Sequence, residues 1–295
     1  MIVVTAPTGQ IGHQVVEGLL ALGQSVRVIV RDPARLTPGV RGRVQVIEGS
    51  HGDLEVVTKA FSGADAVFWL VPPDPKANSV MSAYVDFTRP ACEALVSRGV
   101  QWVVGITALG RGTPQARSAG FVTGSFAMDD LIAGTGVNYR AVTNPSFMDN
   151  LLRQQAPIKN KGVFFSPIDG DRKMPICATR DIAAVSVKSL VDRTWSRQDH
   201  VAVLGPEDLS FNDMAAIMSE VLDKPIRYQQ IPFETYKSQF IERGMSESMA
   251  QGMTDMARAK NEGLDNAERR GPENSTPTSF RQWCKEELKP AVLGS

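Results

Sequence analysis

The 295-residue chain is short of the groups that most often announce a chemistry. It has three cysteines, Cys92, Cys177 and Cys284, odd in number and far apart, and only three histidines. No metal-ligand spacing appears among them, so no metal site is expected. An excess of one charge is missing too: Lys plus Arg and Asp plus Glu each number 32, for no net charge. That balance gives no reason to expect nucleic acid or an acidic membrane as a partner. No run approaches the ~20 apolar residues that span a bilayer. There is no internal repeat. The chain opens directly on the strand-like Met1 to Val4, with no room for a charged and apolar leader before it. Few, scattered cysteines and no leader lead us to expect a cytoplasmic protein.

What the chain does have is rhythm. Apolar residues make up 42% and charged residues 22%, the balance of an ordinary globular protein. Up to about residue 143, short apolar runs alternate with longer amphipathic segments. The runs are Ile2 to Thr5, Val26 to Val30, Val44 to Ile47, Ala66 to Val71, Trp102 to Ile106 and Tyr139 to Val142. They are β-branched or aromatic and mostly without polar alternation, as in strands covered on both faces. Between them the spacing predicts helices near 10–23, 53–61, 78–98 and 118–134. Ile11, Val15, Leu19 and Leu22 form one apolar stripe on the first. The pattern predicts an α/β fold, a parallel sheet with helices on both faces.

Past residue 145 the rhythm weakens. Segment 157–176, with three prolines and two glycines, reads as loops and short strands. A helix near 180–193, a strand at 200–204 and a helix to about 222, capped by Ser210 with Asp213 at its third position, follow. Residues 233–258 read as helical, 262–278 as loop, and 278–288 as a last short helix. We expect a dinucleotide-binding domain over 1–150. A smaller α+β lobe over 151–295 should lend some elements to the first domain; the family resemblance drawn below implies that it covers the substrate cleft.

The strongest chemical signal is Thr5-Ala6-Pro7-Thr8-Gly9-Gln10-Ile11-Gly12, which leaves a strand and opens a helix. Gly9 lets the backbone approach a diphosphate, whose charge meets bare amides at Gly9 and Gln10, and Gly12 permits close helix packing. Ala6 stands where the first glycine of the pattern falls and serves if its φ stays negative. At the end of the second strand Arg31 occupies the position where a carboxylate usually holds the ribose hydroxyls. A guanidinium there suits a 2′-phosphate, with Arg35 adding charge, so the expected cofactor is NADP(H). Asp32, next in sequence, offers a competing carboxylate. The ends of later strands bring Leu70, Val71 and Pro72, and then Thr107 and Ala108, to the same crevice. Asp53 reads as a helix cap and His51 as a loop residue.

These segments resemble the NmrA-like atypical short-chain dehydrogenase/reductases, most of all their quinone-oxidoreductase and azoreductase-like members. Val30-Arg31-Asp32-Pro33, Gly63-Ala64-Asp65-Ala66-Val67-Phe68, Val122-Thr123-Gly124, Pro145-Ser146-Phe147-Met148-Asp149-Asn150, Thr179-Arg180-Asp181-Ile182-Ala183-Ala184 and Leu204-Gly205-Pro206-Glu207 extend the likeness along nearly the whole chain. The resemblance implies a Rossmann-type domain, with Arg31 near the 2′-phosphate and Gly9 and Gln10 under the diphosphate. It also exposes a departure. The Tyr-x-x-x-Lys pair of standard members should fall where this chain reads Phe121-Val122-Thr123-Gly124-Ser125.

Without that pair, the chemistry left is hydride transfer to acceptors needing little proton assistance: quinones, azo compounds, enones or imines. Trp69, Phe121, Phe147 and Met148 are candidate apolar substrate contacts, and Asn144 a polar one. Thr107, Asn144 and Tyr84 are the candidate catalytic groups; for Tyr84, in mid-helix, packing with a solvent-facing hydroxyl is the alternative role. A reductase of a small aromatic or conjugated molecule is the favoured reading. A non-catalytic redox sensor with a protein partner and a non-redox biosynthetic enzyme on the same fold are the alternatives. A monomer or homodimer fits either class.

Overall fold

The computed structural model describes residues 1–294. In its first half β1 (Ile2–Val4), α1 (Gln10–Ala21), β2 (Val26–Val30), α2 (Pro38–Arg41), β3 (Gln45–Glu48), α3 (Leu54–Phe61), β4 (Ala66–Trp69), α4 (Phe87–Arg98), β5 (Trp102–Ala108), α5 (Phe121–Ala133) and β6 (Asn138–Asn144) alternate in order. The second half runs β7 (Ser146–Phe147), α6 (Gln155–Lys161), β8 (Val163–Ser166), β9 (Met174–Cys177), α7 (Thr179–Val191), β10 (Gln198–Ala202) and β11 (Asp208–Leu209). It ends with α8 (Phe211–Leu222), β12 (Arg227–Gln230), α9 (Phe233–Glu242), α10 (Glu247–Asn261), α11 (Phe280–Trp283) and α12 (Lys289–Leu293). None of these helices is long and apolar enough to cross a membrane.

One seven-stranded sheet has the order β10-β6-β5-β4-β1-β2-β3. β1 is parallel to both neighbours, with Ile2 opposite Val26 in β2 and Ala66 in β4. The chain builds outward from β1 to β3, then crosses back to begin the other half at β4. That reversal opens a crevice beyond the carboxyl ends of β1 and β4, where Rossmann-type folds place their ligands. Every residue of β1 and β4 is buried, which explains why their runs show no polar alternation. One face of the sheet packs Val3, Ile29, Val67, Trp69 and Val103 against Val57 and Phe61 of α3, Leu95 of α4, and Met128 and Ile132 of α5.

By internal packing the chain forms two compact units. The first holds Met1–Ala108, Gly124–Thr143 and Ile182–Val201; the second holds Leu109–Thr123, Asn144–Asp181 and the chain from Ala202 onward. The second unit has its own core, with Met148, Phe164, Met218, Phe280 and Trp283 fully buried. Two small sheets, β11-β9-β7 and β12-β8, lie in it.

The second half departs from its sequence pattern in instructive places. Residues 155–161, expected as loop over most of their length, form a helix. Pro157 lies in its first turn, where its missing N–H has no partner to lose, and Gly162 ends it at φ +61°. The long helix expected over 233–258 is two helices. Gly244 turns the chain at φ +85°, and Ser246 caps the second by accepting from the Met249 amide. Segment 262–278 is irregular but tied down, since Thr278 donates its amide and hydroxyl to Asp181 (3.1 and 2.7 Å). The Ser210–Asp213 capping box forms as the sequence indicated.

Backbone contact within the second unit is tight at Gly120, which has φ +54°. A Cβ there would lie 1.9 Å from the Gly252 carbonyl oxygen on α10. Gly120→Ala therefore combines a left-handed alanine with a main-chain clash. We expect a loss of about 2 kcal/mol or more in urea unfolding.

Candidate functional site

The loop between β1 and α1 is built around one close approach. A Cβ on Gly12 would sit 2.1 Å from the Ala6 carbonyl oxygen and 2.8 Å from its carbon, so only glycine lets α1 start there. Ala6 adopts φ +48°, in the left-handed region. This corrects the expectation that its φ stays negative: the turn keeps the strained geometry glycine would take and accepts the cost in alanine. The Gly9 amide closes the turn by donating to Ala6 O (3.1 Å). Gly9 is thus not a bare donor. The amides that open α1, at Gln10, Ile11 and Gly12, have no helical acceptor, and no acidic residue occupies the first turn. An anion is what that helix end lacks.

Thr5 plays a different part from the ligand expected. Its side chain is fully buried. The hydroxyl oxygen donates toward Phe68 O and Leu70 O (3.1 and 3.2 Å) and accepts from the Leu70 amide (2.9 Å). It clips the end of β1 to the end of β4 and so fixes the crevice floor. Beyond the clip Leu70 is half-buried, Val71 buried and Pro72 exposed, while Thr8 is half-buried and Gln10 exposed.

At the end of β2 the rivalry between Arg31 and Asp32 is settled by a cap. Asp32 Oδ1 accepts the Ala34 amide (3.0 Å) and opens the short 3-10 turn Pro33–Arg35. Arg31 and Arg35 are both exposed. Arg31 is left as the charged group at the strand end.

His51 is not a plain loop residue. Its ring is buried edge-on against Trp69 and Phe87 (centroids 5.2 and 4.8 Å), and Nε2 donates to Leu70 O (3.1 Å). Burial holds its pKa near 4, helped by the charge of Arg31. Trp69 lies in the core at 1% exposure, which removes it from the expected substrate contacts. Met148 is removed on the same ground, at 0% in the second unit's core. Phe121 and Phe147 are half-buried, and Asn144 is buried with its carbonyl accepting from the Leu109 amide.

At the end of β5, Thr107 is buried and donates to Ser125 Oγ (3.2 Å), while Ala108 is half-buried. The hydroxyl standing in the lysine position thus pairs with a hydroxyl on the sheet. Tyr84 sits in a wide π-helical turn, Ser82–Asp86, ahead of α4. The ring lies along Gly124, and burial together with the Asp129 carboxylate raises its pKa. Asp129 itself, buried on α5, accepts from Tyr139 OH (2.5 Å). Sequence reading missed this acid. Its signal is an aspartate four residues from Ser125 on the buried side of α5, beside Met128 and Ile132.

With this geometry in hand, comparison with known proteins is decisive. An NAD(P)H-binding family matches residues 7–193 and an NmrA-like family residues 129–279. The chain belongs to the NmrA-like NAD(P)H-binding family. It is 34% identical over 233 residues to a (4-alkanoyl-5-oxo-2,5-dihydrofuran-3-yl)methyl phosphate reductase of Streptomyces griseus, covering 78% of this chain and 77% of the relative. It is 30% identical over 256 residues to an NAD(P)H azoreductase of Xenophilus azovorans, covering 87% and 86%. It shares its fold with a Citrobacter triphenylmethane reductase solved with NADP(H), at TM-score 0.79 and 18% identity over 99% of this chain and 100% of the other.

Two outcomes test the local physics. Ala6→Gly should raise stability by about 0.5–1 kcal/mol in chemical denaturation, by relieving the left-handed alanine. His51 links stability to pH. Its folded pKa lies below the ordinary value, so between about pH 6.5 and 4 the unfolded chain binds the extra proton and stability falls as pH falls. The slope expected from this group is up to about 1.4 kcal/mol per pH unit, and His51→Phe should remove that part of it from the thermal-unfolding profile.

Proposed function

We propose that this NmrA-like protein is an NADPH-dependent reductase of small aromatic or conjugated acceptors. One observation carries the reading. The open amide end of α1 and the uncapped charge of Arg31 stand on strands adjacent in the sheet, with Asp32 withdrawn into its own turn. In this reading the amides of Gln10, Ile11 and Gly12 hold the diphosphate and Gly9 lets it approach. Arg31 takes the 2′-phosphate by paired charged hydrogen bonds, with Arg35 adding positive charge. Ala6, Thr8, Leu70, Val71, Pro72 and Ala108 line the path, and Thr5 holds that path in shape. When bound, the nicotinamide supplies the reducing equivalent.

The chain's own residues orient and exclude. The half-buried Phe121 and Phe147 are the apolar substrate contacts of the proposal. Thr107 and Asn144 are buried and exchange no proton near neutrality, so neither serves as an acid. The relatives' names fit this class: an azo compound for one, a conjugated dihydrofuranone for another.

Calorimetry should show NADPH binding at least tenfold tighter than NADH, about 1.4 kcal/mol. Arg31→Ala should erase most of that preference while NADH binding stays nearly constant. Equal loss of both nucleotides would make Arg31 a structural residue and overturn the assignment.

A further inference from the structure

The loop after β3 carries a histidine whose two ring nitrogens have different roles. Strand register brings this loop beside Arg31. Val30 of β2 lies opposite Glu48 of β3, and the Gly49 amide donates to Val30 O (3.0 Å). Two residues on, the buried His51 ring packs edge-on against Trp69 at the end of β4 and Phe87 at the start of α4. Nε2 carries the proton of the neutral ring, because the Leu70 carbonyl oxygen it meets can only accept. Nδ1 is therefore the basic nitrogen, and it has no hydrogen-bond partner among the described residues. The ring can gain a proton there and keep its bond to Leu70.

Few charges surround the ring. Asp32 accepts the Ala34 amide, and Asp53, on the loop of His51 itself, accepts the Glu55 and Val56 amides. Glu48 ends β3 exposed, and on α4 the neighbour of Phe87, Asp86, pairs with Arg89 at the surface. Trp69 and Leu70 bring no charge from β4. Arg31 is left, and its field acts with burial against the protonated ring. In the nucleotide site proposed above, that guanidinium meets a 2′-phosphate. A phosphate dianion outweighs one positive charge and turns the local field from repelling a proton to attracting it.

We propose that His51 makes the choice of cofactor proton-linked: NADP(H) binds together with a proton on Nδ1 that NAD(H) does not recruit. This rests on the reading that places the 2′-phosphate on Arg31, and it gives that site a second determinant of specificity. Burial and Arg31 hold the free ring neutral down to about pH 4. The complex with NADP(H) has the higher midpoint, so binding takes up a proton between the two midpoints. NADP(H) therefore gains on NAD(H) as pH falls through that window. The charged ring also donates more strongly to Leu70 O, which tightens the crevice floor.

The test is a titration of the imidazole nitrogens by NMR on the full-length protein from pH 7.5 to 4.5. It is run free, with saturating NAD⁺ and with saturating NADP⁺. His51 is distinguished from the other two histidines by its contact with the Trp69 ring. At pH 5 we expect roughly a tenth of His51 to be protonated in the free protein and with NAD⁺. With NADP⁺ about half should be, from a midpoint raised by about one pH unit. Arg31→Ala should by itself raise the midpoint of the free protein. Calorimetry at pH 5, in two buffers of different ionisation enthalpy, counts protons directly. Wild type should take up about 0.4 of a proton more per NADP⁺ than His51→Gln, with no such difference for NAD⁺. The comparison cancels the titration of the phosphate itself, and the wild-type NMR titration stands whether or not the variant folds. A His51 midpoint unmoved by NADP⁺ or by Arg31→Ala, or an equal proton count in the two proteins, would overturn the proposal. Tighter binding of NADP⁺ than NAD⁺ at pH 7.5 would then keep the Arg31 reading intact. Equal affinity for the two nucleotides at pH 7.5 would bring down that reading itself.

Discussion

The contact between the start of α1 and the Ala6 carbonyl governs the first unit. Only a glycine at position 12 lets the helix begin so close to the strand. That closeness aims the unbonded amides of Gln10, Ile11 and Gly12 past the end of β1 and into the crevice. The strain is borne by Ala6, held in a left-handed turn by the Gly9 amide on one side and by the Thr5 clip to β4 on the other. The loop is therefore preorganised before any nucleotide arrives. Its positive end needs no rearrangement to meet an anion.

The far end of the crevice follows the same logic of competing partners. The Asp32 carboxylate accepts the Ala34 amide and caps its own turn. Arg31 keeps its charge exposed and in turn presses on His51, whose neutral ring ties the loop after β3 to Leu70. Arg31 and His51 are thus coupled by charge, and His51 bonds to Leu70, the same residue that Thr5 clips.

Most of the first half was legible in the sequence because its signals are local. Uninterrupted apolar runs mark buried strands, and a glycine pattern after a strand marks the tight turn in which Gly12 meets the Ala6 carbonyl. Less was legible where the deciding partner is distant in sequence. Trp69 and Phe121 look alike as aromatic residues, yet one is a core side chain and the other half-buried. The φ of Ala6 depends on Gly12, and the orientation of Tyr84 depends on α5, forty residues away. Asp129 and Tyr139 meet in a buried bond, and nothing beside either residue in sequence announces it. In the second half, Pro157 and Gly162 suggested loop because proline and glycine punctuate helices as well as break them, and position within the turn decides which.

The account stands on where the diphosphate rests, and a crystal structure with saturating NADPH measures that directly. It predicts diphosphate oxygens within hydrogen-bond distance of the amides of Gln10, Ile11 and Gly12, with the 2′-phosphate on the Arg31 guanidinium. A nucleotide bound elsewhere, with the loop after β1 unchanged and vacant, would contradict it.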